Sequence, residues 1–133
     1  LVDDTYNANP DSVRAAIDVL AELPAPRLLV LGDMGEVGNQ GPEFHAEVGT
    51  YAAERGIEAL FTLGDLCVHS AQAFGAARHF ADMGSLLLAA TESLGEFRSV
   101  VVKGSRFMKM ERVVNMLDQT NNQTSLLENQ SCY

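Results

Sequence analysis

The residues best suited to chemistry in this sequence stand in four short polar stretches. The first, "DDTYNANPDS", follows an apolar pair at the start of the chain. A carboxylate can accept from ribose hydroxyls, a ring can stack on adenine, and an amide can pair with a base edge. The side chains of this kind are Asp3, Asp4, Tyr6, Asn7 and Asn9. The alternative is a polar strand-to-helix turn with Asn9 as the helix cap.

The second stretch, "LGDMGEVGNQGPEFH", has a glycine at every third position from Gly32 to Gly41. It does not match GxGxxG, and no Gly-Lys-Ser/Thr sequence for a phosphate loop occurs in the chain. Asp33 and Glu36 are candidates to hold Mg²⁺ or a substrate ammonium, and the alternative is a flexible surface loop. His45 can bond a neighbouring loop or a substrate, and we favour a structural role.

The remaining two stretches are Gly64-Asp65 and "KGSR", which runs from Lys103 to Arg106. Lys103 and Arg106 are two of only nine basic residues, and they stand where a helix is predicted to begin. A helix N-terminus beside two cations forms an anion site, so a substrate carboxylate or phosphate is the expected ligand. The alternative is a surface turn with salt-bridging side chains.

Composition narrows the possible partners. The formal net charge of -9 argues against nucleic acid or an anionic membrane as the main partner, since both require a basic face. No apolar run approaches the ~20 residues of a membrane span, so membrane insertion is not expected. Cys67 and Cys132 lack metal-ligand spacing and suit reduced thiols in the cytoplasm. We assign no catalytic residue and no metal site to this chain.

Short apolar runs alternate with helical patterns along the chain. The predicted strands are 28–31, 59–63 and 100–102, with weaker candidates at 1–2 and 79–81. Five helices are predicted, beginning near Asn9, Phe44, Leu66, Asp82 and Met110. This alternation predicts an α/β fold, a doubly wound Rossmann-like three-layer sandwich with a mostly parallel sheet. Ligands of such sheets bind beyond the carboxyl ends of the strands, where the four polar stretches lie.

The two ends of the sequence suggest a domain within a longer protein. The chain opens on Leu1 and runs directly from an apolar pair into polar residues, so we expect a fragment cut just before a strand. Helical periodicity stops after position 118, and the Asn/Gln-rich residues 119–133 suit a disordered tail. We therefore expect a folded domain over 1–118.

Taken together, the motifs resemble a known family. "YNANPDS" opening a helix, "LGDMGEVG" after the next strand, "EVGTYA" after His45, and "KGSR" before the last helix occur in family order. Over residues 1–118 they resemble the third, C-terminal domain of the bacterial Mur ligases. Within that family they are most similar to the branch that joins D-Ala-D-Ala to UDP-MurNAc-tripeptide in peptidoglycan synthesis.

The resemblance implies a three-domain, ATP-dependent ligase of the bacterial cytoplasm. The first domain binds the UDP-sugar-peptide, and the central domain carries the phosphate loop, the Mg²⁺ ligands and a modified lysine. The third domain closes over them and contacts both ATP and the incoming dipeptide. The peptide carboxylate becomes an acyl phosphate, which the dipeptide amine attacks. Because this chain lacks the phosphate loop, it is expected to be inactive alone and to bind neither cofactor by itself.

The resemblance also assigns residues to the two ligands. The implied nucleotide-facing residues are Asp4, Tyr6, Asn7, Asn9 and Pro10. The implied substrate-binding residues are Asp33, Glu36, Gly64, Asp65, Lys103, Ser105 and Arg106. A sister ligase has a carboxylate-gripping arginine in the loop matching Gly64-Asp65. None occurs there in this sequence, which leaves Arg106 or Lys103 for that contact. A stand-alone Rossmann-like binding module without catalytic activity is the alternative function.

Overall fold

The computed structural model describes residues 2–3, 9–35 and 38–104, which form one five-stranded sheet. The strands are β1 (Val2–Asp3), β2 (Arg27–Gly32), β3 (Ala59–Leu63), β4 (Arg78–Phe80) and β5 (Ser99–Lys103). Their order across the sheet is β1-β5-β2-β3-β4, and every neighbouring pair is parallel. The predicted doubly wound α/β fold is confirmed.

Four helices connect these strands: α1 (Pro10–Ala21), α2 (Gly41–Glu54), α3 (Cys67–Phe74) and α4 (Met83–Ser93). A single 3₁₀ turn precedes α2 at Gly38–Gln40, and another follows α4 at Leu94–Glu96. Each connection leads from one parallel strand to another, which is the crossover that a parallel sheet requires.

Local sequence explains where α1 begins. The Asn9 side-chain oxygen accepts from the Ser12 N–H at 2.9 Å, and the Ser12 hydroxyl accepts from the Asn9 N–H at 3.0 Å. This reciprocal capping box satisfies two backbone donors, and Pro10 occupies the first helical position, where it needs no partner. The predicted cap and the buried face of Val13, Ile17 and Leu20 are confirmed.

Helices cover both faces of the sheet, so the core has two parts. Successive strand residues point to opposite faces. One part packs α1, α2 and α3 against Leu29, Leu31, Leu60 and Val101. The other packs α4 against the alternate strand residues, which are Leu28, Val30, Phe61, Leu63, Phe80, Val100 and Val102. This is the predicted three-layer arrangement.

Element boundaries differ from the predictions in small ways. The two weak strand predictions are confirmed with a shift of one residue, to Val2–Asp3 and Arg78–Phe80. Asp3, Gly32 and Lys103 were predicted in loops but are the last residues of their strands, because backbone pairing extends beyond the apolar runs. The predicted fifth helix and the tail at 119–133 lie outside the described residues. In the described part of the chain, no helix has the length and apolar character needed to cross a membrane.

Candidate functional site

Three central strands deliver the candidate substrate residues to one edge of the sheet. In the parallel register, Leu31 of β2 is opposite Lys103 of β5, and Gly32 is opposite Leu63 of β3. Asp33 therefore follows β2 at the same level at which Gly64 follows β3. Because parallel strands end together at the carboxyl edge, the loops predicted to bind substrate leave the sheet side by side.

The Asp33 carboxylate caps a helix that is distant in sequence. Its Oδ1 accepts from the Cys67 N–H at 2.9 Å, and both of its oxygens lie 3.2 Å from the Leu66 N. These N–H groups are at the start of α3, where backbone donors have no partner within the helix and where negative charge is favoured. Asp33 is only 9% exposed. This geometry favours a structural role for Asp33 over the predicted role as a Mg²⁺ or ammonium ligand.

Gly64 makes this cap possible. Its φ of +118° is a conformation that residues with a side chain rarely adopt. A Cβ at this position would lie 2.3 Å from Oδ1 of Asp33, far inside van der Waals contact. Gly64 and the neighbouring exposed Asp65 thus form a turn that lies directly against the Asp33 carboxylate. The requirement for glycine here is structural, whatever ligand the turn contacts.

His45 joins the two ends of the glycine-rich loop between β2 and α2. Its Nε2 is 3.0 Å from the Met34 N, and its Nδ1 is 2.7 Å from the Gly41 O. A carbonyl oxygen only accepts, so Nδ1 carries the proton and Nε2 accepts from the Met34 N–H. His45 is therefore neutral, with one defined tautomer. The predicted structural role, in which His45 bonds a neighbouring loop, agrees with these contacts.

Burial keeps the His45 ring in its neutral form. The side chain is 0% exposed, and desolvation lowers its pKa below the ordinary value of 6.5. The Gly41 carbonyl and the Asp33 carboxylate act in the opposite direction but do not reverse the shift, and His69 adds to it. Protonation would turn Nε2 into a donor and abolish the bond from the Met34 N–H.

Helices α2 and α3 approach each other closely behind this loop. The Ser70 hydroxyl donates to the His45 carbonyl oxygen at 2.5 Å, and both groups are buried. A Cβ at Gly49 would lie 2.2 Å from the Ser70 carbonyl oxygen, so α3 packs directly on the backbone of α2. Asp33, His45, Gly64, Cys67 and Ser70 together form what we call the edge cluster.

Three side chains of the edge cluster have metal-binding atoms. Ligand atoms of Asp33, His45 and Cys67 lie within 4.8 Å of one another. Their present bonding does not suit a metal ion, because both His45 nitrogens and the Asp33 oxygens are engaged with backbone groups. Burial, followed by the Asp33 charge, raises the pKa of the Cys67 thiol well above its ordinary value, which disfavours the thiolate that metals require. The trio fits a structural core.

Lys103 is the one described member of the predicted "KGSR" anion site that carries a charge. It is the last residue of β5 and only 2% exposed, and the following Gly104 is also buried. Strand alternation places it on the same face as Val101, which is the face covered by α1, α2 and α3. Ser105 and Arg106 lie outside the described residues.

Of the residues predicted to face the nucleotide, the structure describes Asn9 and Pro10. Asn9 is the N-cap of α1 and Pro10 is its first residue. The capping box fixes the Asn9 side chain through its Oδ1. The other predicted residues on this side, Asp4, Tyr6 and Asn7, lie outside the described residues, as does Glu36 on the substrate side.

The sequence did not reveal Gly49 or Ser70 as members of the α2–α3 contact. Gly49 lies within a regular helical pattern, where a glycine among better helix formers indicates close packing. That signal was available, but it does not identify the partner. No feature of the sequence indicated the role of Ser70, because the sequence does not show whether a serine is buried or exposed.

Comparison with known proteins places these features in a family. Residues 1–106 match the family described as Mur ligase, glutamate ligase domain. The UDP-N-acetylmuramoyl-tripeptide–D-alanyl-D-alanine ligase of Escherichia coli is 40% identical over 121 residues, which cover 90% of this chain and 27% of that protein. The ligase of the same name from Haemophilus influenzae is 42% identical over 123 residues, covering 88% of this chain and 27% of the relative.

Solved structures agree with these sequence relatives. A crystal structure of MurF from Acinetobacter baumannii has a TM-score of 0.78 and 28% identity, covering 86% of this chain and 27% of that one. MurF from Thermotoga maritima in complex with ADP has a TM-score of 0.76 over 91% of this chain and 28% of its own; at 22% identity it supports the fold alone. The chain thus spans about a quarter of the length of these relatives. It belongs to the Mur ligase family, as the glutamate ligase domain found at the C-terminus of its members.

Proposed function

We propose that this chain is the C-terminal domain of an ATP-dependent, ADP-forming ligase that adds D-Ala-D-Ala to UDP-MurNAc-tripeptide in the bacterial cytoplasm. The observation that carries the proposal is the 40% identity to the Escherichia coli ligase of that name across 90% of this chain. The alternative, a stand-alone binding module, is disfavoured because these relatives are about four times as long as the match.

The arrangement of the loops at the carboxyl edge of the sheet supports the proposal that one part of this edge contacts ATP and another part contacts the dipeptide. The start of α1 carries Asn9 and Pro10, which we assign to the nucleotide. The ends of β2, β3 and β5 bring the Gly64-Asp65 turn and Lys103 to the dipeptide side. We assign the dipeptide carboxylate to Lys103, Ser105 and Arg106, because two cations beside a helix start predicted from the sequence favour an anion.

The chemistry requires more than this domain. ATP with Mg²⁺ activates the peptide carboxylate, and the phosphate loop and metal ligands for that step belong to the preceding domains of the proposed ligase. This chain's part is to hold the dipeptide amine and carboxylate in position beside the activated group. Positioning of this kind accounts for a large share of catalysis in two-substrate reactions. The preceding domains, the UDP-sugar-peptide and the dipeptide are the proposed partners.

One experiment tests the overall assignment. The 133-residue chain alone should release no phosphate from ATP above a buffer blank, even with both substrates present. The full-length protein that carries it should form the amide bond and release phosphate in equal amounts. A full-length protein that fails to ligate D-Ala-D-Ala, or an isolated chain that hydrolyses ATP, would contradict the proposal.

A second experiment tests the division of ligands. In the full-length ligase, Lys103→Ala and Arg106→Ala should raise KM for the dipeptide about ten- to a hundredfold and leave KM for ATP nearly unchanged. Asn9→Ala should act on KM for ATP instead and also cost about 1 kcal/mol of stability through the lost cap. The control is Arg98→Ala, an exposed cation at the opposite end of β5. If the two cation variants raise KM for ATP alone, the "KGSR" segment belongs to the nucleotide.

A further inference from the structure

His45 is the residue through which the loop after β2 is connected to both α2 and α3. Its ring bonds Met34 at the start of the loop and Gly41 at the end, and its carbonyl accepts from Ser70 of α3. Asp33, next to Met34 in sequence, caps the same helix α3. The loop is thus held to α3 twice, once through each of two adjacent residues that directly follow β2.

We infer that His45 is a positioning residue for the dipeptide side of the site, acting through Met34 and Asp33 on the Gly64-Asp65 turn. The inference rests on the proposed function and adds a residue that touches no ligand itself. The Met34 N–H bonds His45 Nε2, and the neighbouring Asp33 bonds the N–H groups at the start of α3, so a shift of the Met34 backbone should shift the Asp33 carboxylate as well. Gly64 lies against Asp33, so displacement of that carboxylate moves the turn.

The imidazole is chemically suited to this task. The loop ends present one donor, the Met34 N–H, and one acceptor, the Gly41 carbonyl, to the two sides of one ring. A neutral imidazole offers one acceptor and one donor on a rigid ring, whereas an apolar side chain leaves the buried Met34 N–H without its bond to Nε2. The Asn9 and Pro10 segment depends on its own capping box, so loss of the ring should not disturb the nucleotide side.

The same contacts predict a dependence on pH. Three titratable groups face the ring. They are Asp33, which directly follows β2, and Cys67 and His69, which lie on α3. Asp33 favours ring protonation, but His69 and, above all, burial oppose it. When the pH falls far enough to protonate the ring, Nε2 loses its lone pair and Met34 is released. The dipeptide side should therefore weaken at acid pH before the nucleotide side does.

The experiment uses the full-length ligase with His45→Leu, His45→Gln and a matched control, His79→Leu. The control also removes an imidazole hydrogen bond, to Thr62 Oγ1, but it does so on the edge strand β4. His45→Leu should raise KM for D-Ala-D-Ala about tenfold, with KM for ATP within about twofold of wild type. His45→Gln supplies an amide acceptor for the Met34 N–H and should recover most of the loss. Its dipeptide KM should not rise as the pH is lowered below 6.5, whereas that of the wild type should.

The possible outcomes contradict different parts of the inference. Equal changes in both KM values, or a fall in kcat alone, would overturn the positioning role and leave His45 a residue of general stability. Wild-type profiles identical to those of His45→Gln at every pH would overturn the role of the ring's protonation state. If His45→Leu does not fold, the glutamine variant and the wild-type pH profile still give the answer. A wild-type enzyme that ligates no dipeptide would instead overturn the proposed function itself.

Discussion

The two faces of the sheet are stabilised by different kinds of interaction. The face under α4 is apolar: ten buried side chains pack together, and Phe61 and Phe80 meet edge to face with centroids 5.5 Å apart. The opposite face also has an apolar core, but at the carboxyl edge it contains the buried polar groups of the edge cluster. There, directional bonds from Asp33 and His45 fix particular backbone groups.

The apolar face therefore mainly stabilises the fold, whereas the edge cluster positions particular backbone groups. Apolar burial stabilises a fold without specifying angles, so the α4 face can accept another side chain of similar volume. A buried hydrogen bond is lost when its geometry or its donor changes, so the edge cluster should tolerate only substitutions that preserve its hydrogen bonds. The candidate substrate turn lies beside the cluster, which is where accurate placement of the backbone has a functional purpose.

The largest expected effect comes from adding one methyl group to the edge cluster. Gly64→Ala should destabilise the 133-residue chain by about 4 kcal/mol, because it combines a strained positive φ with the loss of the Asp33 cap on α3. The measurement is urea unfolding followed by circular dichroism. A loss below about 1 kcal/mol would mean that the turn and the cap are not coupled.

Three other glycines separate the two causes. Gly75→Ala tests backbone strain alone, since its φ is +104° and no described atom lies within 4 Å of the added Cβ. Gly49→Ala tests steric contact alone, against the Ser70 backbone. Gly95→Ala has neither problem and serves as the control. The loss at Gly75 should be smaller than that at Gly64, Gly49→Ala should be clearly destabilising, and Gly95→Ala should be close to neutral.

The apolar face gives the second largest effect. Leu86 is 0% exposed, so Leu86→Ala should cost about 3 kcal/mol through lost burial and the cavity that remains. Leu86→Met, which preserves volume, should cost less than about 1.5 kcal/mol. Leu88→Ala is the matched control on the same helix, because Leu88 is 61% exposed. If Leu86→Met is as damaging as Leu86→Ala, this face is as specific as the edge cluster and the comparison fails.

An equally conservative change in the edge cluster should be less well tolerated. Asp33→Asn keeps the size of the side chain but replaces one acceptor oxygen with a donor that faces the N–H groups at the start of α3. We expect a loss of about 2 kcal/mol. In the full-length ligase, the same variant should raise KM for the dipeptide and not KM for ATP. A variant as stable as the wild type would show that charge and direction are unimportant at this position.

The smallest expected effect is a dependence of the free energy of unfolding on pH. Burial lowers the pKa of His45, so the unfolded chain binds a proton at a higher pH than the folded one. The resulting stability is fully present above about pH 6.5 and is lost as the pH falls towards the lowered folded value, by at most about 1.4 kcal/mol per pH unit. His45→Gln should remove this slope. The bond from Arg27 lowers the pKa of Glu58 below 4.5, so its contribution is lost only at more acid pH.

Much of this fold follows from local sequence. The cap at Asn9, the proline at the first position of α1 and the apolar runs of β2, β3 and β5 were predicted and are present. These features depend on neighbouring residues alone, since capping and periodicity act over a few positions. The alternation of strands and helices then leaves a parallel sheet as the natural arrangement, which explains why the polar loops could be placed at one edge.

Only the tertiary structure decided what the polar residues at that edge do. From sequence, Asp33 was a candidate ligand, but its carboxylate caps a helix 33 and 34 positions further along the chain. Gly64 was predicted to belong to a substrate-binding loop, but glycine is needed there because that carboxylate occupies the space of a side chain. Such roles depend on which loop lies opposite which helix. That choice is made by packing across the sheet, and no local pattern of residues encodes it.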